Sequence, residues 1–236
     1  MIFDFYNQLK TMLQIKGGLL LMYMYLSLAL TLAAGIGFVY GLVRFFRDES
    51  ALYVRMIVFG VGCAMFGRLF ATLLYLVNGD LFPGFNVGML GIIGSFLFFF
   101  SANYGQMDSI VDDGSPRFRK TRLIALIAPL IVAALCAVIF VLYGFNEATI
   151  PFGIEALFLA LASYFHLKHL IIEDVSFGLI KSIRSYNLLA LVYAALCLSE
   201  VLVNGFVPAL IVTVLECAVL IAFIPVLERG MKKWTT

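Results

Sequence analysis

Charged residues in this chain are gathered into short clusters, and long uncharged apolar stretches lie between the clusters. With 63% apolar and 13% charged residues over 236 positions, the chain is too apolar for a water-soluble domain and must be solvated mainly by lipid. A helix needs about 20 apolar residues to cross a bilayer. By this measure the sequence predicts an all-α integral membrane fold with seven spans, at roughly 17–46, 52–77, 84–105, 121–144, 149–170, 184–204 and 207–227.

The basic residues predict the orientation of these spans. Most of the 16 Lys and Arg residues fall at one set of span ends, although Lys10 and Lys16 do not, and the loops around Asn78, Asn146 and Asn204 contain none. Because basic residues are retained on the cytoplasmic side, we expect the N-terminus outside and the C-terminus inside. The expected location is the bacterial cytoplasmic membrane.

The chain divides into five predicted segments. Residues 1–16 place apolar side chains at helical spacing and lack the order of a signal peptide, which predicts an amphipathic helix on the membrane surface. We expect a first three-helix unit over 17–105, a cytoplasmic loop and connector helix over 106–144, a second three-helix unit over 145–228 and a short cytoplasmic tail over 229–236. No segment between the spans is long enough for a soluble catalytic domain, so any signal needs a partner.

The division into two units comes from an internal repeat. The stretch LVNG occurs at 76–79 and again at 202–205, and shifting the chain against itself aligns 47–79 with 173–205 without a gap. The identical pairs outside LVNG are Asp48 and Asp174, Ser50 and Ser176, Ile57 and Ile183, and Ala64 and Ala190. The alternative is that two apolar sequences share letters by composition. An offset of four helices preserves direction, so the units are predicted to be parallel repeats related by an axis along the membrane normal.

Ionisable residues inside spans are costly and are functional candidates by default. Counted from the nearer span end at about 1.5 Å per residue, those in this chain lie in the outer half of the membrane or near its middle. We expect Arg68 to pair with Glu216 in an acidic pocket that opens to the outside. The predicted pocket residues are Arg68, Glu155, Glu200 and Glu216, with Tyr23, Tyr25 and Tyr75 at the rim.

A structural role is the alternative for these charges. Arg68 and Glu216 are then a buried ion pair that fixes helix register, while Glu155 and Glu200 extend to the membrane surface. The repeat bears on this choice, because the positions equivalent to the four charges carry only Ala, Leu and Gly. Charges added to a duplicated scaffold are expected if they form one asymmetric site.

Two further clusters lie on the predicted inner side. His166, His169 and Glu173 share one helical face at a spacing that can bind a divalent metal; a solvated helix end near Lys168 is the alternative, and we predict no metal or cofactor. The loop DSIVDDGSPRFRK carries basic residues that set topology at lipid headgroups or dock a cytoplasmic partner. These basic residues are Arg117, Arg119, Lys120 and, just beyond the loop, Arg122.

Several chemistries are absent from the sequence. No lysine lies in the middle of a predicted span, which excludes a retinal Schiff base, and no HExxH, GxSxG or phosphate-binding glycine loop is present. The four cysteines all fall inside predicted spans without close pairing and are expected to be packing residues. We expect neither an enzyme nor nucleic-acid binding, although a pair of buried glutamates leaves intramembrane catalysis open.

Span 3 ends in SANYGQ at 101–106, and after a basic loop span 4 begins TRLIALIAPL, with Pro129 about two turns in. This arrangement resembles the seven-helix sensor region at the N-terminus of many bacterial histidine kinases and diguanylate cyclases. In that family the third span often closes in a Tyr-Gly turn and a proline interrupts the fourth. The resemblance implies a sensor, and since only ERGMKKWTT follows span 7, one that acts through another protein.

The topology is also similar to that of SWEET-type transporters, whose helix-kinking prolines are missing from spans 1, 2 and 6 here. We therefore expect a receptor-like sensor that binds a small molecule or cation in an outer pocket and signals through a cytoplasmic or membrane partner. The alternatives are a small secondary transporter or cation or proton pathway, and a structural subunit of a membrane complex. A homo-oligomer is compatible with each.

Overall fold

The computed structural model describes residues 2–46, 51–78, 86–147, 149–172, 179–203 and 205–235. These residues are helical apart from short connections, and no β-strand occurs among them. The helices are α1 (Ile2–Phe45), α2 (Leu52–Asn78), α3 (Val87–Ala102), a π-helical turn (Asn103–Met107), α4 (Asp108–Val111), a 3-10 turn (Pro116–Phe118), α5 (Arg119–Ala125), α6 (Ile127–Tyr143), α7 (Thr149–Ile171), α8 (Leu179–Leu202) and α9 (Phe206–Thr235).

Six helical segments of the described chain are long and apolar enough to cross a membrane. They are Leu21–Phe45, Leu52–Leu74, Val87–Gly105, Pro116–Tyr143, Thr149–Ile171 and Phe206–Met231. The prediction of an all-α integral membrane protein is confirmed. A further long helix, α8, has 24 residues and is less apolar, since it carries Lys181, Arg184 and Glu200.

At both ends of the chain a predicted segment is continuous with the neighbouring helix. The backbone of α1 is one continuous helix through the predicted surface segment 1–16 and the first span, and α9 continues through most of the predicted tail 229–236. Several predictions fall outside the described residues or side chains. These are the side chains of 2–20 and Tyr75, the turn at 79–85 and Glu173.

Six helices form a closed ring around the core. α1 packs on α2, α2 on α3, α3 on α7, α7 on α8, α8 on α9, and α9 returns to α1, while α6 lies outside the ring against α7. Under the predicted correspondence of α1–α3 with α7–α9, each contact in one half of the ring has a counterpart in the other. The aligned residues Ile57 and Ile183 are both buried, as are Ala64 and Ala190.

Glycines allow α2 and α3 to approach closely. A Cβ atom on Gly91 would lie only 2.6 Å from both the Cα and the amide nitrogen of Gly67. Backbone contact through small residues is a common way to pack helices in a bilayer, where the hydrophobic effect does not drive them together. The pair therefore fixes the position of α2, which carries Arg68.

The fourth apolar segment is interrupted at Leu126, between α5 and α6. Pro129 has no backbone N–H, and its ring clashes with the carbonyl of the residue four positions earlier, which is Ala125. The helix is broken at that carbonyl and resumes when the Leu130 amide donates to the Leu126 carbonyl at 3.1 Å.

An aromatic cluster fills the middle of the ring. Phe99 stacks on Phe223 with ring centroids 5.2 Å apart, and Phe96 stacks on Tyr193 at 5.6 Å. All four residues and Tyr186, which packs edge-on against Phe223, are almost completely buried. The cluster separates two polar regions. One lies at the end of the bundle where α2 and α8 end, here called the LVNG end, and the other at the opposite, basic end.

Candidate functional site

A cavity of about 300 Å³ opens at the LVNG end between α1, α2, α8 and α9. Its wall is mostly apolar, and its polar groups are two charged side chains and three hydroxyl-bearing residues. The polar lining residues are Arg68, Glu200, Tyr23, Ser27 and Thr213, and the apolar ones are Leu26, Leu30, Ala71, Val203, Ala209 and Val212. The volume is at the lower end of the range for small-molecule sites.

Arg68 is shared between two carboxylates at the base of this cavity. Its Nη2 atom donates to Glu200 Oε1 at 2.9 Å and to Glu216 Oε2 at 3.4 Å. The Glu200 side chain is one-third exposed (33%), whereas that of Glu216 has no exposed surface (0%). Because both carboxyl groups contact the same nitrogen atom, they lie near each other. Arg68 therefore pairs with one carboxylate that is accessible from the cavity, Glu200, and with one that is not, Glu216.

Two side chains of α8 complete the surroundings of Glu216. The Cys197 thiol donates to Glu216 Oε1 at 3.4 Å. Tyr193, one turn deeper, interacts electrostatically with Arg68 and Glu216, and its fully buried hydroxyl has no hydrogen-bond partner among the described residues. Buried hydroxyls without partners are rare and call for an explanation.

Hydroxyl groups connect Arg68 to α1. The Thr72 hydroxyl donates to the Arg68 carbonyl at 2.9 Å and is hydrogen bonded to the Ser27 hydroxyl at 2.9 Å. Thr31 lies one turn further along α1, 3.3 Å from the same Thr72 oxygen. These hydrogen bonds tie the backbone of α2 at Arg68 to α1, which forms another wall of the cavity.

The predicted pocket residues fall into three groups. Arg68, Glu200 and Glu216 come together, and the contact expected between Arg68 and Glu216 is present. Glu155 lies on α7 outside this contact group, near enough to Arg68 and Glu200 for electrostatic interaction but without an ion pair or hydrogen bond among the described residues. Tyr23 lines the cavity, Tyr25 is exposed, and the Tyr75 side chain lies outside the described part.

A second polar cluster is buried at the basic end. Lys168 Nζ lies 2.6 Å from Asp108 Oδ1 and 2.6 Å from Asp112 Oδ2. Arg122 donates to both oxygens of Asp112, at 2.8 and 2.7 Å, and to the Ser115 carbonyl at 2.8 Å. The expected solvated helix end at Lys168 is wrong, because two carboxylates neutralise this lysine and allow its burial.

The π-helical turn shapes this cluster. The Asp108 amide donates to the Asn103 carbonyl five residues earlier. In an α-helix, side chains five positions apart are separated by about 140° around the axis, whereas the extra residue of the turn brings Asn103 and Asp108 to the same side. There the two ring nitrogens of His169 reach Asn103 Oδ1 at 3.3 Å and Asp108 Oδ1 at 3.1 Å. The turn is formed by NYGQM, whose first four residues belong to the SANYGQ motif.

The two histidines are held by amides and a carboxylate. His166 Nδ1 lies 2.8 Å from Asn103 Nδ2 and 2.9 Å from Asn187 Oδ1, and both histidines are buried. Glu173, the third predicted metal ligand, lies outside the described residues. Within the described part of the chain, no group of three or more His, Cys, Asp or Glu side chains is arranged to hold a metal ion.

The aspartates of the 108–118 connection are stabilised as anions. The hydrogen bonds from Arg122 hold the pKa of Asp112 well below its usual range, helped by Lys168 and the Gly114 amide and opposed by partial burial. Burial opposes ionisation of Asp108 most strongly, yet hydrogen bonds from His169 and Lys168 outweigh it and lower the pKa of this carboxyl. This connection is therefore tied to α7 by charge.

The predicted docking residues differ in availability. Arg122 is committed to Asp112 and Ser115, so it is part of the buried cluster and not of a free surface. Arg117, Arg119 and Lys120 are exposed, and Arg117 also lies over the Phe118 ring. Docking through these three residues stays a prediction.

Sequence reasoning missed most of the basic-end cluster. It singled out His166 and His169 but not Asn103, Asp108 or Asn187, which come from two other parts of the chain. The available signal was the density of polar residues in SANYGQMD, directly after an apolar span. At the cavity, Cys197 and Tyr193 were not expected beside Glu216.

Fold and site together define a polytopic α-helical membrane protein with a charged cavity at one end of its helix bundle. Comparisons with protein-family models, curated proteins and solved structures return no significant match to this chain.

Proposed function

We propose that this protein is a receptor-like membrane sensor whose cavity at the LVNG end faces the outside and binds a small ligand. The observation that carries the proposal is the division of Arg68 between Glu200, which the cavity reaches, and Glu216, which it does not. A ligand that engages Glu200 or Arg68 alters this division and thereby the relative positions of α2, α8 and α9.

The proposal includes a seven-helix topology with the N-terminus outside, in a bacterial cytoplasmic membrane. In support of a seventh span, α8 is a full member of the ring and packs against α7 and α9. It carries Asn187 in the basic-end cluster and Glu200 at the cavity, so it reaches from one polar region to the other. The cavity lies at the end of the bundle whose loops lack Lys and Arg. The ring contacts and the buried repeat positions support the three-one-three arrangement.

Signalling requires that the ligand bind one helix arrangement better than another. The shared guanidinium supplies two such arrangements, because Arg68 can pair more closely with Glu200 or with Glu216. Helix α9 carries Glu216 near the cavity and Glu228 at the basic end, where Arg44 of α1 donates to it at 2.6 Å. A shift of α9 is therefore felt on the inner side, where we propose that a separate partner detects it.

A ligand screen on the purified full chain tests this function. Thermal unfolding is measured with a library of metabolites and cations for the wild type, Glu200→Gln and Glu147→Gln. Glu147 is an exposed residue of the α6–α7 connection, so its substitution is the same chemical change outside the cavity. A ligand that stabilises the wild type and Glu147→Gln but not Glu200→Gln supports the proposal. A library without any stabilising ligand, together with no copurifying partner, contradicts it.

A secondary transporter is the second candidate, and the distribution of polar groups along α8 favours it. From the basic end to the cavity, α8 contributes Asn187, Tyr193, Cys197 and Glu200 to the interior of the ring. A pure receptor does not require polar side chains on both sides of the aromatic cluster. Solute or proton flux into proteoliposomes that is lost in Glu216→Gln would favour transport over sensing.

A further inference from the structure

We propose that the cavity binds a small organic ammonium ion in exchange for one proton held between Glu200 and Glu216. This inference rests on the proposed function, because it names the ligand class of the same site. It applies equally to a sensor and to a transporter, since both begin with binding at the cavity.

Charge balance is the first argument. Arg68 supplies one positive charge to two carboxyl groups that both contact its Nη2 atom. Two carboxylates at one site do not both ionise readily unless their charges are compensated. With one proton on the pair, the charges of Arg68, Glu200 and Glu216 sum to zero. When a monovalent cation replaces the proton, the charges of these three groups and the bound cation again sum to zero. A net charge is avoided in both states, as burial in a membrane protein requires.

The other groups around the pair do not change this balance. Tyr23 on α1 and Tyr193 and Cys197 on α8 are neutral in their ordinary states. Glu155 on α7 interacts with Arg68 and Glu200 only at a distance. The ion pair of Glu216 is with Arg68, which is the cation at this site.

The unpartnered hydroxyl of Tyr193 is the second argument. It is fully buried near Glu216 and Arg68 and makes no hydrogen bond of ordinary geometry among the described residues, although the Cys197 thiol lies beside it. When Glu216 loses its share of the proton, it can accept from Tyr193 in addition to Cys197 and Arg68. The buried carboxylate then gains the donors that a desolvated anion needs.

The cavity wall indicates the kind of cation. A hard inorganic ion such as Ca²⁺ takes six to eight oxygen ligands, whereas this cavity offers the Glu200 carboxylate and the hydroxyl groups of Tyr23, Ser27 and Thr213. Its remaining wall is alkyl, apart from Arg68. A primary ammonium group can donate hydrogen bonds to one carboxylate and two or three hydroxyl groups. A short alkyl group attached to it can pack against the alkyl wall of the cavity.

The exchange is balanced in protons and charge. The ammonium ion enters from the open side and donates to Glu200, the shared proton leaves through the cavity to water, and Arg68 remains paired with Glu216. No covalent bond to carbon forms or breaks, and no co-reactant is needed.

Calorimetric titration of the purified full chain tests the exchange. A methyl- to hexylammonium series is titrated in buffers of different protonation enthalpy, which gives the number of protons released per ligand. The controls are n-butanol, which has the shape without the charge, and n-butyrate, which has the opposite charge. Glu200→Gln and Glu147→Gln are titrated in parallel.

We expect one member of the series to bind with release of about one proton and with affinity that falls about tenfold per pH unit on acidification. Binding is lost in Glu200→Gln and kept in Glu147→Gln. Binding of butyrate, ammonium binding without proton release, or no ammonium binding overturns the exchange. None of these results contradicts the proposed function if the metabolite screen yields another ligand whose binding depends on Glu200. The proposed function is contradicted by a separate result, a metabolite screen that yields no such ligand. Because the proton count is measured on the wild type, poor folding of Glu200→Gln does not affect it.

Discussion

Arg68 pairs with Glu216, a carboxylate with no exposed surface, while the same Nη2 atom donates to Glu200 at the edge of a cavity. The buried partner has Cys197 as a further donor, and the accessible partner faces the cavity. Substitution of the buried Glu216 or its partner Arg68 is therefore expected to change stability, whereas substitution of the accessible Glu200 is expected to change binding.

The first prediction concerns the stability of the Arg68–Glu216 pair. Arg68→Ala leaves Glu216 buried without its cation and is expected to lower the free energy of unfolding by about 3–5 kcal/mol. The double variant Arg68→Met, Glu216→Leu removes both charges and is expected to recover most of this loss. Denaturant titration in mixed micelles measures both. A single variant as stable as the double one would show that Glu216 does not depend on Arg68.

The second prediction concerns the close approach of α2 and α3. Gly91→Ala places a methyl group 2.6 Å from backbone atoms of Gly67, which cannot move aside as a flexible side chain can. We expect a loss of about 1–3 kcal/mol in the free energy of unfolding. Gly105→Ala is the matched control, because a Cβ atom there meets nothing within 4 Å. Equal stability of the two variants would contradict the close packing.

The third prediction concerns the π-helical turn. Deleting Gly105 removes one residue from the turn and rotates Asn103 away from Asp108, so that His169 and Lys168 lose partners. Thermal unfolding is expected at a clearly lower temperature than for Gly105→Ala, which keeps the chain length. A deletion as mild as the substitution would mean that the extra residue does not position the cluster.

The fourth prediction concerns pH. Hydrogen bonds from Arg122 lower the pKa of Asp112 in the folded protein from an ordinary value of 3.8. A carboxyl group with a lowered folded pKa stabilises the fold above its unfolded pKa, and this contribution is lost as pH falls through the folded value. The stability difference between the wild type and Asp112→Asn should be largest at neutral pH and shrink below about pH 4. Thermal unfolding across this range measures it.

Asp113→Asn is the control for this pH series. Its neighbour Asp112 is bonded to Arg122 and Lys168, whereas Asp113 accepts from the Ser115 amide at an exposed position. We expect a smaller change at neutral pH for this variant. A difference at Asp112 that persists unchanged into the acid range would show that the ion pair does not stabilise the fold.

The sequence predicted the membrane class, and it named Arg68, Glu200 and Tyr23 among the cavity residues, for simple physical reasons. Uncharged stretches of bilayer length specify helices, and similar depths in the membrane were enough to expect contact between Arg68 and Glu216. Depth does not specify rotation about a helix axis. For that reason the sharing of Arg68 with Glu200, and the position of Glu155 outside the contact group, appeared only in the assembled ring.

The basic-end cluster was less predictable. Asn103 and Asn187 stand among other polar residues, in SANYGQMD and KSIRSYN, and nothing in the sequence distinguishes them from those neighbours. Their meaning depends on His166, which lies in another part of the chain and binds both. The extra residue of the π-helical turn is likewise stabilised by tertiary contacts with His169. The hydrophobic periodicity of the sequence does not reveal such contacts.

Accessibility of the cavity tests the central claim most directly. Ser27→Cys places a thiol in the cavity wall, and its modification by a membrane-impermeant maleimide is followed in right-side-out vesicles, with the wild type as background for the native cysteines. We predict modification from the outside that slows when a ligand identified by the thermal screen is added. Modification only from the inside, or outside modification that no such ligand slows, would contradict an outward-facing ligand site at Arg68 and Glu200.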